Sequence, residues 1–205
     1  MLIDLGPMSP NQVYHTVTQT LIPRPIAWVL TENQSKSFNI APFSYFNAIA
    51  SDPPLLMLSI GWKRDGSPKD TRRNILERKH FVVHIASMDS LESLNNSSAE
   101  LPDEVSEVEK EKLVLAEFPG FSLPRIAGCK IAFACSFHEV HEIGQTRQAL
   151  ILGEIRTIFV DDSAVVYDAK GRMRVDATAV GPVSRLGPGE YAEFGKIVRL
   201  PIPAA

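Results

Sequence analysis

Residues 69–73, KDTRR, place a lysine, a threonine and two arginines where the sequence reads as the start of a helix. A helix start presents unpaired backbone N–H groups and the positive end of the helix dipole, and both favour a phosphate. Lys69 adds a point charge there, the Thr71 hydroxyl adds a donor, and Arg72 and Arg73 add further positive charge. The bland alternative is a solvated helix start, capped by Asp70 or Thr71, with basic neighbours. Upstream, FNIAPFS (38–44) supplies the polar side chains of Asn39 and Ser44 in a loop stiffened by Pro42. Trp28, Phe43 and Tyr45 offer flat apolar surface beside it. Taken alone, this second segment is a polar turn flanked by core aromatics. Together, a phosphate clamp, a rigid polar loop and apolar strands suit an amphipathic ligand with a flat ring and a phosphate tail.

Other chemistries find weaker support. No GxGxxG follows a strand and no GxxxxGK[ST] occurs; RLGPGEY (185–191) has the wrong glycine spacing for a Rossmann or P-loop site. A nucleophilic serine lacks a GxSxG elbow, and nothing near Ser44 marks a base. His138 and His141 stand three apart in HEVH, but the run reads as a strand, where such residues face opposite sides. His84 lies inside the strand-like FVVHIA, where a hydrogen-bonded structural role competes with a place in the site. Cys129 and Cys135 match neither a disulfide framework, nor a CxxC pair, nor a zinc site.

Strands must hold these residues in place. PRPIAWVLT (23–31) reads as a strand entered through prolines, LLMLSIG (55–61) as a buried strand behind Pro53-Pro54, and HFVVHIAS (80–87) as another. Two long runs, 128–143 and 147–160, flank a turn at Gly144-Gln145, and SAVVYD (163–168) leads into the turn AKGR. Helices are expected over NQVYHTVTQTL (11–21), RRNILERK, DSLESLNNSS (89–98) and the acidic PDEVSEVEKEKLVLA (102–116). Strands dominate without regular strand-helix alternation. That argues against a doubly wound parallel sheet and for a mainly β, mostly antiparallel barrel with added helices.

The 205 residues suit one domain, 1–205, with about 88–126 as a partly helical insertion. A chain of this size buries roughly 70% of its unfolded surface, so it needs no disulfide or metal to fold. Its net charge of −3, from 21 basic and 24 acidic residues, argues against a strongly basic nucleic-acid-binding domain. No signal-peptide pattern opens the sequence and no apolar run is long enough to span a membrane. A cytoplasmic protein with no membrane or nucleic-acid partner is expected.

Five landmarks carry a resemblance: PRPIAWVLT (23–31), FNIAPFSYFN (38–47), DPPLLMLSIG (52–61), KDTRRNI (69–75) and FVVHIA (81–86). In order and spacing they resemble the flavin reductase-like proteins with an FMN-binding split barrel, particularly the flavoredoxin-related branch. A weaker match lies in GPVSRLGPGEYAEF (181–194), and the acidic segment around 100–116 carries little of the likeness. The resemblance implies an antiparallel split β-barrel and a homodimer with FMN near the subunit interface. It implies that Asn39, Ala41, Phe43 and Ser44, joined by Ser59, line the isoalloxazine or ribityl chain. Lys69, Thr71 and Arg72 would hold the phosphate, Trp28 and Thr31 would touch the ring edge, and His84 would make flavin tuning pH-sensitive.

The implied activity is that of an oxidoreductase. NADH or NADPH would deliver hydride to the flavin with no obligatory protein acid or base, and the reduced flavin would pass electrons to a redox partner protein or another acceptor. Two other readings stay open at this level: an FMN electron carrier without its own nicotinamide site, and a non-enzymatic interaction domain. The chain also departs from the family pattern. NQSKSFN lacks a glycine before the asparagine, His84 stands where asparagine is common, and the tail reads GPG in place of a glycine pair.

Overall fold

The structure is a computed structural model and describes residues 1–201 and 203. The chain enters through α1 (Pro10–Thr20), whose start is held by a capping box between Ser9 and Gln12. Then come β1 (Arg24–Pro25), β2 (Ala27–Glu32), β3 (Phe38–Phe43), β4 (Phe46–Ser51) and β5 (Pro54–Ile60). Helix α2 (Asp70–Arg78) leads into β6 (His80–Ile85). The next segment carries α3 (Leu91–Asn96), α4 (Glu107–Lys110) and a small hairpin, β7 (Leu115–Ala116) with β8 (Arg125–Ile126). A long hairpin of β9 (Ile131–Ile143) and β10 (Gln148–Val160) follows. Short elements complete the chain: β11 (Val165–Tyr167), β12 (Met173–Val175), α5 (Ala177–Val180), β13 (Ser184–Arg185) and β14 (Tyr191–Ala192).

Seven strands form one antiparallel sheet in the order β3-β2-β6-β9-β10-β5-β4, with β3 and β4 as unpaired edges. The sheet is therefore open. The strand expected over 23–31 is in fact two pieces: β1 joins β13 and β14 in a separate sheet, and the main ladder begins at Ala27. The prolines explain the break, since Pro23 and Pro25 have no N–H to donate to a ladder. FNIAPFS, expected as a loop, is strand β3 through Phe43, registered on β2 from Glu32↔Phe38 to Ala27↔Phe43.

Period-2 alternation along the central strand β2 divides the interior into two cores. Ala27 and Val29 join Phe43, Leu58, Ile75, Phe81 and Ile151 in one, which α2 enters through Ile75. Trp28 and Leu30 join Ile40, Val82, Leu94, Phe118 and Ile126 in the other, which the 88–126 segment covers.

That segment also covers the β3 edge. Ser106 donates its hydroxyl to Phe38 O at 2.5 Å, and the Ile40 N–H donates to Glu107 Oε2 at 3.1 Å. Pro42, two residues further along the same outward register, has no N–H to leave unpaired. The long helix expected over 102–116 is only the four residues of α4, flanked by the left-handed backbones of Glu104 and Lys112. Of its acidic side chains, Glu107 serves the strand edge instead of a helix face. Among the described residues, no helix is long and apolar enough to cross a membrane.

One glycine is dictated by close approach. Gly153 lies beside an irregularity in the β9–β10 register, where a Cβ would overlap Cζ of the fully buried Phe81. We expect Gly153→Ala to cost about 1–3 kcal/mol through overpacking. Thermal unfolding checks this, and an unchanged Tm would mean that Phe81 repacks freely.

Candidate functional site

A cleft of about 570 Å³ lies among α1, the β3–β4 turn, β5 and the 185–191 segment. Phe43, Ser44, Tyr45, Ser59 and Lys69 line it. A pocket of about 40 Å³ shares Phe43, Lys69 and Ser98 with the cleft and adds Asn39, Ala41, Thr71 and Glu107. The structure thus brings the FNIAPFS and KDTRR segments to one place.

The two serines are held from behind. Arg24 Nε donates to Ser44 Oγ at 3.3 Å, and Gln148 Nε2 donates to Ser59 Oγ at 3.1 Å. Each hydroxyl therefore keeps its own proton for an acceptor in the cleft. The Ser59 N–H also donates to Tyr45 O at 2.9 Å, which ties the β3–β4 turn to β5. The rings of Tyr45 and Tyr14 lie 6.3 Å apart, and burial raises the Tyr45 phenol above its usual range.

At the start of α2, the N-cap is Lys69 and no side chain caps it. The expected caps are otherwise engaged. Asp70 pairs with Lys63 at 2.9 Å and Arg73 at 2.5 Å. Thr71 Oγ1 accepts from Asn39 Nδ2 at 2.9 Å. The first-turn N–H groups of α2 are thus left without a side-chain acceptor. Arg73 is further held by Asp103 and Glu104, at 3.0 and 3.4 Å. Among the described residues the Lys69 side chain makes no hydrogen bond or ion pair.

Four expected contacts line neither the cleft nor the small pocket. Arg72 donates to Arg147 O at 3.1 Å, pairs with Glu142 at 2.7 Å and lies over the Trp62 ring at 4.1 Å. It pins α2 to the β9–β10 hairpin. Thr31 is buried in a polar bridge, accepting from Asn39 Nδ2 at 3.2 Å and Asn74 Nδ2 at 3.1 Å. With the Asn39–Thr71 bond, that bridge fixes the helix start against β2 and β3. Trp28 is fully buried, and its indole N–H donates to Ser97 Oγ at 2.9 Å.

His84 is likewise a framework residue. Its Nε2 accepts from the Ile126 N–H at 2.9 Å, so Nδ1 carries the proton and donates to Trp28 O at 3.0 Å. Burial lowers its pKa to about 4. The imidazole is neutral and internal and lines neither pocket, so it is not placed to tune a ligand there with pH.

Several lining residues escaped the sequence reading. Arg24 and Arg185 face the cleft, as do Tyr14 and His15 from α1. Arg24 carried a signal, a lone charge between two prolines at the entry of an apolar strand; the others had none. Glu107, at the small pocket, is raised to about 7 by burial. The other candidates do not line the cleft: His138 and His141 are exposed on β9, with His141 3.4 Å from Glu139. Cys129 and Cys135 are free and buried, and burial pushes the Cys129 thiol up to about 12.

The profile of the flavin reductase like domain matches residues 19–175. Nitrilotriacetate monooxygenase component B from Bacillus cereus superposes with a TM-score of 0.88 at 32% identity, covering 98% of each chain. A 2-nitrobenzoate 2-nitroreductase from Pseudomonas fluorescens superposes at 0.87 and 28% identity, over 99% of this chain and 96% of that one. A Shewanella frigidimarina protein described as having a split barrel domain superposes at 0.84 and 20% identity, covering 99% and 100%, and shares the fold. The open antiparallel sheet with its added helices is thus a split barrel, and the chain belongs to the flavin reductase-like family.

Proposed function

We propose that the cleft binds FMN and that the protein is an oxidoreductase, taking hydride from NADH or NADPH and passing electrons to a partner protein or a small acceptor. The observation that carries this reading is Lys69, an unpaired cation at an uncapped helix start, in the same cleft as Phe43 and two proton-keeping serines. The residues fit the group. Lys69 and the first-turn N–H groups of α2 suit its phosphate, Ser44 and Ser59 suit ring or ribityl acceptors, and Phe43 and Tyr45 suit a flat ring. Asn39 and Thr71 act one step behind, by setting the helix start through their mutual hydrogen bond. When bound, the flavin supplies the hydride and electron chemistry, and the protein supplies position and electrostatics.

The protein is further proposed to act as a homodimer. Strand β4 is an uncovered sheet edge with Ile49 exposed, and Met1, Leu2, Val198 and Leu200 are exposed apolar residues at the two ends of the chain. Analytical ultracentrifugation reads this directly, and a monomer at micromolar concentration would remove it.

A visible spectrum, an FMN titration and stopped-flow mixing with NADH and with NADPH test the activity. Saturable binding followed by rapid bleaching of the flavin is expected. Binding without bleaching by either nucleotide leaves an electron carrier, and no binding ends the flavin reading.

A further inference from the structure

Arg24 and Arg185 are direct partners across the β1–β13 ladder, so their side chains leave the same face, and both line the cleft. Like charges directly opposite one another in a ladder are destabilising. Among the described residues neither arginine has an ion-pair partner. Arg24 is only 4% exposed. It donates to Ser44 Oγ, to the carbonyls of Thr18 and Leu21, and to Leu186 O at 2.6 Å. Those bonds use four of its five N–H groups and bring no negative charge to a buried cation.

Arg185 is pre-positioned too. Its guanidinium lies 4.5 Å over the ring of Tyr191, whose hydroxyl donates to Asn95 Oδ1 at 2.9 Å. The cleft lining holds Arg24, Arg185 and Lys69 and not one Asp or Glu, although the chain carries a net charge of −3. One phosphate, held at Lys69, leaves the charge of the arginine pair unanswered.

We infer that Arg24 and Arg185 form a second anion subsite, which seats the oxyanion of the small molecule that exchanges electrons with the flavin. Its place beside a flavin rests on the proposed function; the charge argument does not. A carboxylate or a phosphate satisfies the same chemistry, because guanidinium groups present forked donors to either. Binding of the anion offsets the arginine repulsion and uses the remaining donors.

The test compares FMN-loaded wild type with Arg185→Gln, each titrated with sodium benzoate and, separately, with inorganic pyrophosphate. Calorimetry and the bound-flavin spectrum give the affinities. Saturable binding of at least one anion is expected, weakened about 10- to 100-fold in Arg185→Gln, with FMN affinity unchanged. Arg185→Lys should recover part of the loss. Binding of benzoate points to a carboxylate acceptor, and binding of pyrophosphate points to a dinucleotide.

In anion-free buffer Arg185→Gln should unfold no earlier than wild type, since it removes a like-charge pair. A merely structural arginine would lower the Tm instead and would leave the anion affinity of the folded variant as in wild type. No saturable binding, or equal binding by both proteins, overturns the subsite. A parallel loss of FMN affinity would place the arginines at the flavin phosphate and also overturn it. The same titrations on FMN-free protein separate the two ideas. Arg185-dependent anion binding by a chain that ignores FMN would sink the flavin reading and keep the subsite.

Discussion

Lys69→Ala is expected to weaken FMN binding about 10- to 100-fold. A hydrogen bond to a charged group contributes about 1.5–3 kcal/mol, and each 1.4 kcal/mol is about a factor of ten. The size of the effect follows from what surrounds the other cations. Lys63 is held by Asp70 and Asp103, Arg73 by Asp70, Asp103 and Glu104, and Arg72 by Glu142. Their charge is already answered within the protein. Lys69 has no such partner and borders both the cleft and the small pocket. Because its side chain bonds to nothing among the described residues, the variant should unfold at the wild-type temperature. Fluorescence titration with FMN reads the effect, and unchanged affinity would remove Lys69 from the phosphate site.

Between pH 4.5 and 6.5 the wild-type stability should change little on account of two buried groups that oppose one another. Burial holds His84 at about 4 against its usual 6.5, and Glu107 at about 7 against its usual 4.5. In that interval the unfolded chain protonates His84 and the folded protein does not, so His84 makes stability rise with pH. The folded protein keeps Glu107 protonated while the unfolded chain has released the proton, so Glu107 makes stability fall with pH. Each slope approaches about 1.4 kcal/mol per pH unit in the middle of the interval, with opposite signs.

Glu107→Gln keeps an acceptor for the Ile40 N–H and removes one of the two slopes. Its stability should then gain roughly 2 kcal/mol from pH 4.5 to 6.5. Burial also lowers His80, which adds in the direction of His84. His84→Asn should show a falling profile over the same interval. Denaturant unfolding at several pH values measures both, and a Glu107→Gln profile as flat as wild type would show that Glu107 does not titrate there.

Much of the scaffold was legible because its signals are local. The long β9–β10 hairpin, the buried runs of β5 and β6 and the helix expected over 11–21 all show in periodicity and breakers. FNIAPFS misled because its polar side chains look like a loop. Asn39 is in fact buried against Thr31 and Thr71, and Pro42 is tolerated on the outward register of an edge strand. The acidic 102–116 run misled in the opposite sense. Its helix-favouring composition is overridden by two left-handed residues and by the bonds of Ser106 and Glu107 to β3.

For the site, the residue types and their order carry the proposed kind of ligand: a helix start with cations, a serine-bearing segment and nearby aromatics. Which of those residues are free to meet a ligand was decided by the tertiary structure alone. Arg72 is claimed by Glu142, His84 by Ile126 and Trp28, and Trp28 by Ser97, all distant in the chain. Arg24 and Arg185 become one feature only when β1 and β13 pair. Periodicity and capping act over a few residues and can be read from a sequence; the satisfaction of charges and donors is a property of neighbours in space, and only the fold chooses those.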